Sequence, residues 1–273
     1  ECRHSMTVHD YRQRFGGIER LYGKGTGKLI RAMHVCVVGM GGVGSWAAES
    51  LARTGIGAIT LIDHDSVCET NINRQLHALS PTTGRKKTAV MKKRILGINP
   101  ECRCTVIDDY INMDNISDYL SPDRGYQYAI DAIDSIKFKA AMIAWCRRNK
   151  SPIITTGAAG GLTDPTMIRI KDLNRTYNDP LAARVRARLR NEYGFTRNPK
   201  RYFTVECVFS SQQQVYPAAD GTVSHRKPGI HGVNLDCRLG YGSASFVTAT
   251  FGMVAASRVV NRTINTRKPQ QGK

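Results

Sequence analysis

At 273 residues, with 41% apolar and 23% charged residues, the chain is long enough for one large core, or one domain with a smaller lobe, and ordinary for a soluble globular protein. Forty Lys and Arg against 22 Asp and Glu give a formal net charge of +18. That surplus favours a polyanionic partner, RNA more naturally than a membrane surface, with a generally basic solvated surface as the alternative. The eight cysteines include no C-x-x-C pair, which excludes the usual four-cysteine zinc site and favours reduced thiols in a cytosolic protein over a disulfide framework.

The chain begins at Glu1 rather than Met, which leaves its true start open, and no signal peptide is visible. Tyr11-Arg-Gln-Arg-Phe-Gly-Gly17 predicts short helical pieces ahead of the first strand. Taken alone, its arginines are surface charge. Val35-Cys-Val-Val-Gly-Met-Gly-Gly-Val-Gly-Ser45 then predicts a buried strand that turns directly into a helix. Val35, Val37 and Val38 suit a central parallel strand. Gly39, Gly41 and Gly44 fall at G-x-G-x-x-G spacing, for a tight turn, close approach of a phosphate, and close packing of helix on strand. The helix over 45–53 would point its free N–H groups at that anion.

A second strand over 58–62 ends in Asp63, placed to bind a ribose hydroxyl or, alternatively, to cap a helix or turn. The polar loop over 63–75 and Gly84-Arg-Lys-Lys-Thr88, which opens a helix to about residue 96, bring Arg74 and Lys87 beside the nucleotide. A nicotinamide enzyme has little use for both cations, whereas cleavage of a triphosphate needs them against the charge of the departing pyrophosphate. A turn into a third strand lies in 99–108, a short helix over 114–120, and a fourth strand over 126–134. That strand ends in Asp131 and Asp134, either of which could hold Mg²⁺ against phosphate oxygens while the other caps the helix over 136–148. A fifth strand over 152–161 runs into a glycine-rich turn, and 167–170 extends the sheet. This order predicts an α/β fold with a doubly wound, largely parallel sheet and helices on both faces.

From Asp172 the composition shifts. Asp179-Pro-Leu starts a helix carrying Arg184, Arg186, Arg188 and Arg190, followed by Arg197, Lys200 and Arg201. Arg184, Arg188, Arg190, Lys200 and Arg201 form the expected RNA-contacting set. A strand over 202–210 and a mobile loop over 212–239, with His225, His231 and Cys237, precede a last helix over 240–260 and a frayed basic tail. The last helix is about the ~20 residues that span a bilayer. Its Gly, Ala, Ser and Thr content and Arg258 make it a buried or interface helix instead. No stable membrane insertion is expected.

Together these residues resemble the ubiquitin-activating-enzyme-like superfamily, which adenylates carboxylates: Gly39-Met-Gly-Gly-Val-Gly-Ser45, Asp63-x-Asp65, Asn71-x-x-Arg74-Gln75, Lys87 and Asp131-x-x-Asp134. Within it the tRNA threonylcarbamoyladenosine dehydratases are the closer resemblance. It rests on Arg12-Gln-Arg-Phe-Gly-Gly17, Asn73-Arg-Gln-Leu-His-Ala78, Cys146-Arg-Arg-Asn149, Asp179-Pro-Leu-Ala-Ala183 and Val247-Thr-Ala-Thr-Phe-Gly252, and spans about 11–260.

The resemblance implies a Rossmann-like ATP-binding domain over 31–171. An N-terminal helical arm over 1–30, a tRNA-facing lobe with the C-terminal helix over 172–260, and a basic tail over 261–273 complete the division. ATP would be held by Gly39, Gly41, Gly42, Gly44, Asp63, Asp65, Asn71, Arg74, Lys87, Asp134 and Ser135, with Mg²⁺ on Asp134. Catalysis would fall to Arg74, Lys87, Asp134 and an Arg14 that reaches the partner subunit of a homodimer. It further implies a tRNA whose modified adenosine lies next to the anticodon, and cysteine-desulfurase or sulfur-acceptor partners in the cytoplasm. Cys237 matches a family cysteine, and packing is its expected role. Zinc is not expected, and a monovalent cation near Gly157–Gly161 is left open. The expected reaction is ATP-dependent cyclisation of the threonylcarbamoyl group by adenylation of its carboxylate. The alternatives are adenylation of the C-terminal carboxylate of a sulfur-carrier or ubiquitin-like protein, a nicotinamide oxidoreductase, and a non-catalytic RNA-binding scaffold.

Overall fold

The computed structural model describes residues 10–218, 220–226 and 242–267. Two helices, α1 (Tyr11–Tyr22) and α2 (Thr26–Arg31), precede β1 (His34–Val38), α3 (Gly44–Thr54), β2 (Ala58–Ile62), α4 (Lys87–Ile98) and β3 (Arg103–Ile107). There follow α5 (Ile116–Tyr119), β4 (Tyr128–Asp131), α6 (Ile136–Arg148), β5 (Ile153–Thr156) and β6 (Ile168–Asp172). The chain continues through α7 (Pro180–Glu192), β7 (Glu206–Ser210), β8 (Tyr216–Pro217), β9 (Val223–Ser224) and α8 (Ser245–Arg267).

Seven strands form one sheet in the order β3-β2-β1-β4-β5-β7-β6. All neighbours pair in parallel except β6 and β7. The period-2 alternation of each strand divides its side chains between two cores. Val35, Val37, Ile59, Leu61, Ile130 and Ile154 pack under Leu51 of α3, Ile95 of α4 and Phe251 of α8. Cys36, Val38, Ala129, Ile153 and Phe209 pack against Ile143 of α6 and Val185 of α7. The expected doubly wound sheet with helices on both faces is therefore the observed fold.

Several boundaries differ from expectation, each for a local reason. The fourth strand stops at Asp131 because that side chain accepts the Ile133 N–H at 3.3 Å and turns the chain. The strand expected from residue 202 starts at Glu206. Before it, Thr204 is left-handed at φ +57°, and the Asp172 carboxylate takes the N–H groups of Phe203 and Val205 at 2.9 and 3.2 Å. β6 is the antiparallel edge, with β7 inserted between it and β5. The last helix continues to Arg267, past the expected start of the basic tail. Arg258, the charge that argued against a membrane role, pairs with Glu206 on β7. No helix among the described residues is long and apolar enough to cross a membrane. The expected loop over 212–239 contributes the small β8–β9 hairpin. His231, Cys237 and residues 268–273 lie outside the described residues.

Candidate active site

The loops that follow β1, β2, β4 and β5 all leave from the carboxyl edge of the parallel strands, where doubly wound folds bind ligands. Gly39 holds φ at +91°, a value that suits glycine alone. A Cβ on Gly44 would lie 1.7 Å from the Gly39 carbonyl oxygen, so the turn closes on itself only without a side chain. A Cβ on Gly41 would meet nothing within 4 Å. The loop is thus tight at both ends and open at its middle, toward the start of α3. No side chain caps that helix, so its first N–H groups suit an anion.

Asp63 grips this loop: one carboxylate oxygen accepts the Met40 N–H and the other the Asp65 N–H at 2.7 Å. Each oxygen keeps lone-pair capacity for a ribose hydroxyl. Asp65 holds Lys87, with Nζ 2.7 Å from Oδ2. Lys87 is the first residue of α4 and is 5% exposed. Arg74 is brought to the loop as well, since a Cβ on Gly42 would sit 3.3 Å from its Cγ. Its Nη1 donates to the Thr70 carbonyl at 2.7 Å and to Asn73 Oδ1 at 2.9 Å, while Trp46 and Thr248 hold its backbone carbonyl. Asn71 is buried and accepts the Cys68 N–H at 3.1 Å, closing the turn that leads to Arg74.

The two candidate metal carboxylates separate cleanly. Asp131 is wholly buried. Its Oδ2 accepts from Lys139 Nζ at 2.9 Å and from Thr155 Oγ1 at 2.6 Å. Burial raises its pKa, opposed by Lys139 and Thr155. Asp134 is exposed, on a loop whose Ala132 and Ile133 abut Gly39. A lone accessible carboxylate beside a phosphate loop fits Mg²⁺, which takes one or two carboxylates plus phosphates and water. Asp131 does not fit it. Neither carboxylate caps α6, whose first residue is preceded by Ser135 with no capping bond. Among the described residues no group of three or more His, Cys, Asp or Glu side chains is placed to hold a metal.

The remaining candidates lie elsewhere. α4 and α3 run from the nucleotide edge to the opposite edge of the sheet, and α1 rests at their far ends. There Arg14 Nη1 donates to the Ile98 carbonyl at 3.0 Å and Tyr11 to the Gly55 carbonyl at 2.6 Å. Arg14 is therefore remote from the nucleotide loop of its own chain. On α7, Arg184 is exposed. Arg188 is committed to Glu192 at 2.8 Å, and Arg190 turns inward onto Asn174 and the Phe203 ring. Lys200 and Arg201 are exposed beyond the end of the helix.

Lys139 escaped the sequence reading: it occupies the buried side of α6, and its only cue was a lysine among apolar helical positions. Asp179 caps α7 as its Asp-Pro start predicts, through the Ala182 N–H at 2.8 Å. Its second bond was not foreseen: it accepts the Ala158 N–H at 3.1 Å and ties the glycine-rich turn after β5 to α7.

The ThiF family profile matches residues 17–272. The tRNA threonylcarbamoyladenosine dehydratase of Escherichia coli (strain K12) is 55% identical over 260 residues, covering 94% of this chain and 96% of that protein. The enzyme of the same name from Haemophilus influenzae is 51% identical, covering 93% of this chain and 95% of that one. The crystal structure of the E. coli tRNA N6-threonylcarbamoyladenosine dehydratase in complex with ATP superposes with a TM-score of 0.84 at 50% identity, over 98% of this chain and all of that one. The chain belongs to the ThiF family and, within it, to the tRNA threonylcarbamoyladenosine dehydratases.

Proposed function

We propose that this chain uses ATP to cyclise threonylcarbamoyladenosine in tRNA with net loss of water. The observation that carries the reading is one sheet edge with four features: an open glycine loop, two cations at its rim, a ribose-ready carboxylate and an exposed metal-ready carboxylate. The relative with nearly full mutual coverage and 55% identity bears this activity in its name, and the solved dehydratase at 50% identity holds ATP.

Gly41 and its neighbours receive the phosphates, and Asp63 binds the ribose. Asn71 supports the turn that presents Arg74. Arg74 and Lys87 neutralise the charge that develops on the departing pyrophosphate. Lys87 leaves Asp65 to do so, which makes Asp65 the lysine's resting partner. Mg²⁺ held by Asp134, with Ser135 alongside, would supply charge neutralisation at the phosphate oxygens. The threonylcarbamoyl carboxylate oxygen attacks the α-phosphorus of ATP, and the bond to the β-phosphate breaks to release pyrophosphate. The carbamoyl nitrogen or oxygen then attacks the activated carbonyl carbon. AMP departs, one proton is lost, and the ring is closed. Activation is required because a carboxylate is a poor electrophile. The tRNA rests against the arginine-bearing face that begins at Arg184. The sulfur-carrier reading uses the same site chemistry, but the +18 charge and the absence of C-x-x-C pairs favour RNA.

The distance of Arg14 from the nucleotide loop of its own chain supports a role at the site of a second subunit in a homodimer. The test is complementation. Asp134→Ala and Arg14→Ala chains are each expected to lose at least 10-fold in AMP formation, and a mixture of the two to recover part of it through heterodimers. Full turnover by Asp134→Ala contradicts the metal assignment, and absence of recovery in the mixture contradicts the shared site.

A further inference from the structure

Because β6 runs antiparallel to β7, pairing Asp172 with Glu206, the chain leaves β6 at the edge opposite the nucleotide loop. The segment before β7 folds back onto it there. Asn174 Nδ2 donates to the Arg201 carbonyl at 2.6 Å and Arg175 Nη2 to the Lys200 carbonyl at 2.9 Å. These bonds present Arg175, Arg197, Lys200 and Arg201 to solvent around Tyr202, which is 62% exposed. The Arg175 guanidinium sits over the tyrosine ring, 5.0 Å from its centroid.

None of these four cations forms an ion pair among the described residues. The nearby carboxylate of Asp172 is occupied by the N–H groups of Asn174, Phe203 and Val205, and that of Glu192 by Arg188. An unneutralised cluster around a fixed, exposed aromatic ring matches the chemistry of phosphate contacts combined with base stacking. A second copy of this chain would meet like charge.

We propose that Tyr202, with Arg175 over its ring and Lys200 and Arg201 beside it, is a stacking platform for an unpaired base of the bound tRNA, remote from the reacting adenosine. The proposal rests on the dehydratase reading and adds a second point of contact. α7 joins the two. It starts at Asp179, which is bonded to the turn after β5 at the nucleotide edge, and its 13 residues run about 20 Å at ~1.5 Å each to the platform side. At ~3.4 Å per stacked nucleotide along one strand, that separation is about six nucleotides. The arm of the tRNA therefore lies along α7, with Arg184 between its two ends.

The experiment measures the affinity of full-length tRNA for the whole enzyme by fluorescence anisotropy, alongside ATP affinity by calorimetry and steady-state AMP formation. Tyr202→Ala is expected to weaken tRNA binding about 10-fold and to raise KM for tRNA, leaving kcat and ATP affinity unchanged. Tyr202→Phe is expected to restore binding, because stacking needs the ring and not the hydroxyl. The double change Lys200→Ala with Arg201→Ala should lower the slope of log affinity against log salt by about 2. Wild-type affinity in Tyr202→Ala, or an equal loss in Tyr202→Phe, overturns the platform. A change of oligomeric state with tRNA affinity intact assigns the face to a second copy and also overturns it. Tyr202-dependent tRNA binding by a wild-type enzyme that forms no AMP on any tRNA leaves the platform standing and removes the dehydratase reading instead.

Discussion

His77 shows how a single side chain here carries a consequence for the whole fold. It lies in the turn between Arg74 and α4, is 1% exposed, and neither ring nitrogen has a hydrogen-bond partner among the described residues. Burial first, and the charge of Lys87 second, push its pKa from 6.5 down to about 4. The unfolded chain therefore takes up a proton as pH falls below 6.5, whereas the folded chain refuses it until about pH 4. Stability is lost across that window, by roughly 3 kcal/mol at ~1.4 kcal/mol per unit of pKa difference. Urea unfolding of His77→Leu between pH 7 and pH 4.5 should lack this share of the decline. An unchanged pH slope would show that the imidazole is not held neutral. Asp134 and Asp131 mark what residue-level reading delivers. The D-x-x-D spacing left open which acid could hold the metal and which could cap the helix, and only the family resemblance pointed to Asp134. Burial, a three-dimensional property, is what separates the two: Asp131 is enclosed and Asp134 is exposed.

At the scale of elements, the Asp131–Lys139 pair fastens the end of β4 to the first turns of α6, with Thr155 of β5 as a third member. The Thr156 hydroxyl adds a bond to the Asp131 carbonyl at 3.2 Å. The four residues between strand and helix, which carry Asp134, are thereby anchored at their base. Lys139→Met leaves a buried carboxylate unpaired and should cost about 3–5 kcal/mol of stability. Asp131→Asn combined with Lys139→Met removes both charges and should recover most of that loss in urea unfolding. Its AMP formation should stay at least 10-fold down, because the Asp134 loop has lost its anchor. A double variant with wild-type activity would make the pair purely structural.

Element existence was otherwise readable, since strand periodicity, glycine turns and the Asp-Pro helix start are local signals. The insertion of β7 beside β5 was not, because it depends on strand pairing across more than 50 residues (Ile154 with Glu206). The bend at Thr204 depends likewise on a carboxylate 32 residues away in the chain, Asp172.

On the whole molecule, the candidate residues fall on two opposite sheet edges. The carboxyl edge gathers the glycine loop, Asp63, Arg74, Lys87 and Asp134, while the opposite edge holds Arg14 and the Tyr202 cluster. The motifs around the nucleotide were legible because each is a short string whose chemistry demands its spacing. The expected RNA-contacting set rested on composition alone. The alternating arginines of α7 proved to be partly spent on Glu192 and Asn174, and the stacked Arg175–Tyr202 pair gave no sequence signal because its members lie 27 residues apart.

If ATP is spent on a carboxylate carried by tRNA, AMP release from labelled ATP with Mg²⁺ depends on that carboxylate, and the most direct measurement compares tRNA that carries threonylcarbamoyladenosine with the same tRNA lacking it. AMP in proportion to the modified tRNA, and none with the unmodified one, is the predicted result. Silence with both, or equal release with both, would contradict it.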